Sequence, residues 1–227
     1  MKTVIILGCS WGCGEWKRGS AQDQLITHGG IAQYFREDGY NVINLSQYSG
    51  SNHCMLDPLY YFLRMNNHLE IDSIYWIQTD IARSLRDGYI HLTDYKHSNL
   101  TESIRSMYYD FYSNLNHRLK IRGHRAKMIG GLTDLYVNFE FENLDFLVPS
   151  WIKLINSDIS SAHLVDPIGH EWLDKHYSKP SEILPFVEQA LERYNYWRSA
   201  PELFWPDGDH PNKKAHRILY DHIRTIS

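Results

Sequence analysis

Long apolar runs are missing from this sequence. The opening MKTVIILGCS carries an unbroken apolar stretch of five residues at most, between Val4 and Gly8. A membrane span needs roughly 20 such residues, and a secretory leader needs a longer core than this. The expectation is a chain that does not enter a membrane, shows no signal peptide and resides in the cytoplasm. Cysteine is scarce: Cys9, Cys13 and Cys54 are odd in number, which argues against a disulfide framework. An excess of one charge is absent as well. Lys and Arg total 23 against 27 Asp and Glu, a formal net charge of −4, so no basic footprint for nucleic acid is present. Internal repeats, low-complexity tracts and Pro/Gly/Ser linkers are also lacking, and the chain reads as a single domain over residues 1–227.

What is present is globular composition. Hydrophobic residues make up 43% and charged residues 22% of 227, enough apolar side chain for a sizeable core. Aromatics reach 14%, with 16 Tyr and 7 Trp. Such a surplus builds either a thick aromatic core or flat surfaces suited to sugars.

Strand-like and helix-like segments alternate. Thr3–Leu7 is a β-branched apolar run, Asn41–Leu45 and Ser73–Ile77 are similar, Lys127–Gly130 is a fourth, and Phe146–Trp151 a fifth weakened by Pro149. Helical stretches fall at Gly29–Asp38, Asp57–Asn67, Thr101–Arg122, Ser181–Arg198 and Pro211–Ile226. Thr101 is the expected N-cap of the longest, whose Ile104, Met107, Tyr108, Phe111, Leu115 and Leu119 recur every three or four residues. Alternation of this kind predicts a parallel sheet covered on both faces, with ligands bound beyond the carboxyl ends of the strands. The polar loops Gly8-Cys9-Ser10, Ser46–Asn52 and Gln78-Thr79-Asp80 then converge on one rim.

Two constellations carry chemistry. Gly8-Cys9-Ser10-Trp11-Gly12 places a serine in a small-residue turn directly after a strand, exposing a hydroxyl and turning the backbone N–H toward a developing oxyanion. It fits G-x-S-x-G, but the nucleophile elbow of α/β-hydrolases lies deeper in the chain, after several strands, so that reading fails on topology. Asp207-Gly208-Asp209-His210-Pro211-Asn212 sets an Asp three residues before a His, so that the carboxylate can fix the imidazole tautomer and stabilise its cation. Pro211 suits the first turn of the final helix.

A GxS turn closing the first strand, with DxxHPN before the last helix, resembles the SGNH/GDSL hydrolase superfamily. The resemblance implies a three-layer α/β/α sandwich, flavodoxin-like, with about five parallel strands in the order 2-1-3-4-5. It implies Ser10 as nucleophile, with Asp207 and His210 completing the triad. The oxyanion would be held by the N–H groups of Ser10 and Gly50 and by Thr79 or Asn52. Two departures stand out. Cys9 occupies the place of the family's aspartate, and Thr79 that of its asparagine. Thr79 in that block, with the Leu45–Asn52 loop, also resembles divergent SGNH-like proteins of bacteriophages, which would place the chain in a host cytoplasm.

The implied activity is hydrolysis of a carboxylic ester, with a short acyl group, on carbohydrate or a small molecule, through an acyl-enzyme. No cofactor, nucleic acid or membrane partner is called for. Trp11, Trp16, His28 and Trp205 are expected to line the substrate entrance. Alternatives stay open: an O-acyltransferase using the same triad, a weak or inert binding protein of this fold, or a thiol-based metal or redox protein. The Cys9/Cys13 spacing with His53-Cys54 is a weak zinc signature, and G-x-G-x-x-G fails at Lys17.

Overall fold

A computed structural model describes residues 1–17, 25–89, 99–165, 180–204 and 210–226. Strands β1 (Thr3–Gly8), β4 (Asn41–Asn44), β5 (Ile71–Gln78), β6 (Ala126–Gly130) and β7 (Leu144–Val148) form one sheet in the order β4-β1-β5-β6-β7. Every neighbouring pair in it is parallel. Counting only these strands, the order is the expected 2-1-3-4-5. A separate antiparallel ribbon joins β2 (Glu15–Trp16) to β3 (Ile26–His28).

The sheet is buried on both faces because its strands are apolar on both. In β1, Ile5 and Leu7 enter one core cluster while Val4 and Ile6 enter the other, the alternation that a pleated strand imposes. The first cluster is closed by α3 (Leu56–Met65) and α5 (Leu100–Arg122) through Leu59, Leu63, Met107, Phe111 and Leu115. The second is closed by α2 (Gly30–Glu37) and α6 (Trp151–Ile155), and by α8 (Lys213–Ile226), through Phe35, Trp151, Leu219 and Ile223. Between the last two lies α7 (Pro180–Ser199), which gives Ile183 and Phe186 to the first cluster and Ala190 and Trp197 to the second.

The aromatic surplus is largely core. Trp11, Trp16, Trp76, Trp151 and Trp197 are all buried, and Trp11 meets Trp151 edge-on with ring centroids 5.5 Å apart. Three local expectations are corrected. The cap of α5 is Asn99, not Thr101, because its side chain accepts the Glu102 N–H at 2.9 Å. Trp151 opens a helix instead of ending a strand: Pro149 follows β7, and the Ser150 side chain caps α6 by accepting from the Lys153 N–H at 3.1 Å. The last helix starts at Lys213, after Pro211, with the Asn212 side chain accepting from the N–H groups of Lys214 and Ala215.

A buried polar network fixes the carboxyl end of β5. The Gln78 amide donates to Thr133 Oγ1 at 3.0 Å and to the Asp134 carbonyl at 2.9 Å, and Gln78 accepts from Tyr112. The Tyr108 hydroxyl donates to the His163 carbonyl at 3.0 Å and accepts the Ile81 N–H at 3.2 Å. Asp134, directly after Thr133, forms a 2.8 Å ion pair with fully buried Arg193 of α7.

Buried imidazoles set an acid limit to the fold. Burial pushes His53, which contacts the Ser84 hydroxyl at 2.8 Å, down to about 4, and fully buried His216 down to about 3. Both values lie below the unfolded-state value near 6.5, so the unfolded chain takes up the protons first. Stability is then fully present above about pH 6.5 and is lost as pH falls toward 4 and 3. While both are titrating in the unfolded chain alone, the loss approaches about 3 kcal/mol per pH unit. Urea midpoints at pH 7.0, 5.5 and 4.5 should fall in that order; equal midpoints would contradict this assignment.

Candidate active site

Strand β1 lies between β4 and the central strand β5, and its last residue, Gly8, pairs with Ile77 of β5. Ser10 and Thr79 each lie two residues beyond that pair, so both leave the sheet at the same level of the rim. After β1 the chain makes a single helical turn, α1 (Ser10–Cys13), and Gly12 donates its N–H to the Cys9 carbonyl at 2.9 Å. A Cβ at Gly12 would stand 2.3 Å from Ser46 Oγ and 3.1 Å from Ser46 Cβ, so a larger residue there requires Ser46 to rotate or shift. Ser10 is 4% exposed.

His210 arrives from the other end of the chain. It precedes a bridge between Pro211 and Phe204, and Asn212 ties the same loop down, donating its N–H to the Leu203 carbonyl at 2.8 Å and its side-chain amide to the Glu202 carbonyl at 2.9 Å. Its imidazole is 9% exposed and packs against Trp16, with ring centroids 5.5 Å apart. The same indole donates its Nε1–H to the Ser10 carbonyl at 3.0 Å. One tryptophan therefore touches both the Ser10 turn and the His210 ring. Asp207 and Trp205 lie outside the described residues.

The remaining expected residues fall out differently. Gly50 is buried, but its N–H donates to the Gln47 carbonyl at 3.1 Å, so the donor assigned to the oxyanion is already engaged within its own turn. The space there is tight for a side chain. A Cβ would lie 3.0 Å from Gln47 Cβ and 3.3 Å from Cys54 Sγ, while the left-handed residue of the loop is its neighbour Ser49, at φ 52°. The Asn52 side chain is also committed. It accepts the Thr79 N–H at 3.0 Å and donates to the Thr79 carbonyl at 2.8 Å, splicing the second loop to the third. Thr79 itself is fully buried, and its hydroxyl has no hydrogen-bond partner among the described residues. A buried hydroxyl left without a partner costs on the order of 1–3 kcal/mol unless a bound group uses it.

Trp11 does not line an entrance; it is 2% exposed, inside the core with Trp151, Trp197 and Phe204. Trp16 is 3% exposed, so little of its ring is open to a ligand. His28 gives its Nδ1 to the Gly30 N–H at 3.1 Å and its ring to Tyr34, and burial holds it below the usual histidine value. Its ring nitrogen serves the start of α2. All three cysteines are free thiols, and burial pushes Cys13 up to about 12, so it is no thiolate at neutral pH. Among the described residues no cluster of three or more His, Cys, Asp or Glu converges as a metal site, and no helix is long and apolar enough to cross a membrane.

Sequence reading missed the β2–β3 ribbon that holds Trp16. Glu15 is its anchor: one carboxylate oxygen accepts from the Thr27 hydroxyl at 2.8 Å, the other from the Lys213 N–H at the start of α8. Segments of two and three residues carry no periodic signal, so only the partners, far away in sequence, reveal them.

No family model and no curated protein matches this chain. Among solved structures, the chain is similar to the psychrotrophic esterase EstA from Pseudoalteromonas, at 15% identity and TM-score 0.44, covering 99% of this chain and 95% of that one. It is similar to TesA at 13% identity and TM-score 0.47, covering 99% and 97%. A lipase/acylhydrolase from Enterococcus faecalis gives 14% identity and TM-score 0.43, covering 100% and 95%. Likeness at this level identifies no residue role; those rest on the geometry above.

Proposed function

We propose that this chain is a serine ester hydrolase of the SGNH type, acting through an acyl-enzyme on Ser10. One observation carries the reading. Two residues from opposite ends of the sequence, a strand-end serine and a histidine, are gripped by one indole at the carboxyl rim of the sheet. In this reading His210 takes the Ser10 hydroxyl proton as Oγ attacks the acyl carbonyl, and returns it to the departing alcohol oxygen. Water, activated by the same imidazole, then hydrolyses the acyl-serine. Asp207 is assigned the role of orienting the imidazole.

The oxyanion donors we assign are the Ser10 N–H and the Thr79 hydroxyl. Asn52 is set aside because both faces of its amide hold the Thr79 backbone, and Gly50 because its N–H serves Gln47. The substrate we propose is a short acyl ester, of a small alcohol or a carbohydrate.

The test is turnover of p-nitrophenyl butyrate by the wild type and by Thr79→Val, which keeps shape and removes the hydroxyl. Removing one oxyanion donor typically lowers kcat by about 10²–10³-fold. That loss, with KM little changed, is the expected outcome. Turnover in the wild type with Thr79→Val unimpaired would take Thr79 out of the site, and no turnover of any short ester would count against the hydrolase reading.

A further inference from the structure

Ser10 and His210 lie on separate segments, and Trp16 of β2 touches both. Trp16 is 3% exposed, donates to the Ser10 carbonyl at 3.0 Å, and packs its ring against both His210 and Tyr48, at 5.5 and 5.2 Å. Because α1 is one turn long and Gly14 leaves the helical region at φ 127°, the carbonyl side of that turn is completed by a side chain. The ribbon is itself pinned at both ends. The Lys17 N–H bonds the Leu25 carbonyl at 2.7 Å, and Glu15 bonds the Lys213 N–H three residues beyond His210.

We infer that Trp16 is a positioning residue, a clasp that sets the Ser10 turn and the His210 imidazole in register for proton transfer. This rests on the proposed serine-hydrolase reading of the same site. The physical ground is geometric: general-base catalysis needs heavy atoms within about 2.6–3.2 Å, and a displacement near 1 Å can cost about 10²-fold in rate. The indole serves both jobs with different atoms. Its N–H fixes the serine turn, and its apolar face limits the tilt of the histidine.

Trp16→Phe keeps a ring beside His210 but loses the N–H, and Trp16→Leu loses both. The rates are read as kcat per site, the number of competent sites being counted by fluorophosphonate titration so that any unfolded fraction drops out. The expected order is wild type, then Phe lower by about tenfold, then Leu lower by about a hundredfold, with KM within twofold throughout. Trp151→Phe is the control. It loses another buried indole, whose N–H donates to the Ala215 carbonyl at 3.3 Å, and should lower stability while leaving kcat per site unchanged. Trp16 variants with wild-type kcat per site, or Trp151→Phe equally slowed, would overturn the inference. Failure of the wild type to take up the probe would instead strike the hydrolase reading on which it rests.

Discussion

Ser10→Ala is expected to abolish ester turnover, lowering kcat/KM on p-nitrophenyl butyrate by a factor on the order of 10⁴–10⁶. The hydroxyl is the atom that forms the acyl bond, and no neighbouring group replaces it. Cys9, the preceding residue, is fully buried in the second core cluster. His210→Ala should fall by a similar factor, since an un-ionised serine is a weak nucleophile without its base. The more telling result is the double variant. Residues that work as one unit are strongly non-additive, so Ser10→Ala/His210→Ala should be no slower than either single change. Steady-state kinetics on the three proteins checks this, with matched unfolding transitions to show that each is folded. Losses that multiply would mean that the two residues act independently.

The second large effect is on stability. Arg193→Leu leaves the Asp134 carboxylate buried, 3% exposed, without the guanidinium that neutralises it. Breaking a buried ion pair from one side costs roughly 3–5 kcal/mol, because the remaining charge is stranded. At about 2–4 °C per kcal/mol for a chain of this size, Tm should drop by about 10 °C. The pair is not ideally satisfied. Arg193 Nε and Nη1 have no hydrogen-bond partner among the described residues, though Nη2 also donates to the Ser160 carbonyl at 3.1 Å. Removing both charges should therefore recover much of the loss. Arg193→Met/Asp134→Asn keeps an acceptor for the Ala162 N–H, which Asp134 now receives at 3.3 Å. Differential scanning calorimetry distinguishes the cases. A Tm for Arg193→Leu within 2 °C of wild type would show that the site relaxes around the lost charge.

The parallel sheet was legible because its strands are short apolar runs set between amphipathic helices. Val4–Leu7 is apolar without alternation, and the structure buries both faces of that strand. Ser10 and His210 stood out because each stands in a turn whose residues limit what the backbone can do, and the structure sets both against Trp16. What stayed hidden depends on long-range partners. Asn52 offers an amide in the right loop, yet the Thr79 backbone, 27 residues away, claims it from both sides. Gly50 looked like an oxyanion donor, but its N–H is taken up by the Gln47 carbonyl. Tryptophan near a nucleophile suggests a substrate wall, but a ring as large as Trp16 is as easily drawn inward when its N–H finds a carbonyl, here that of Ser10. The Arg193–Asp134 pair spans 59 residues, and neither side chain carries a local cue.

The central claim is that Ser10 is an activated nucleophile, and mass spectrometry of the protein after reaction with a fluorophosphonate tests it most directly. The account predicts one adduct per chain, located by peptide mapping on Ser10 and absent from His210→Ala. A folded wild type that takes up no probe, or takes it up elsewhere, would contradict it.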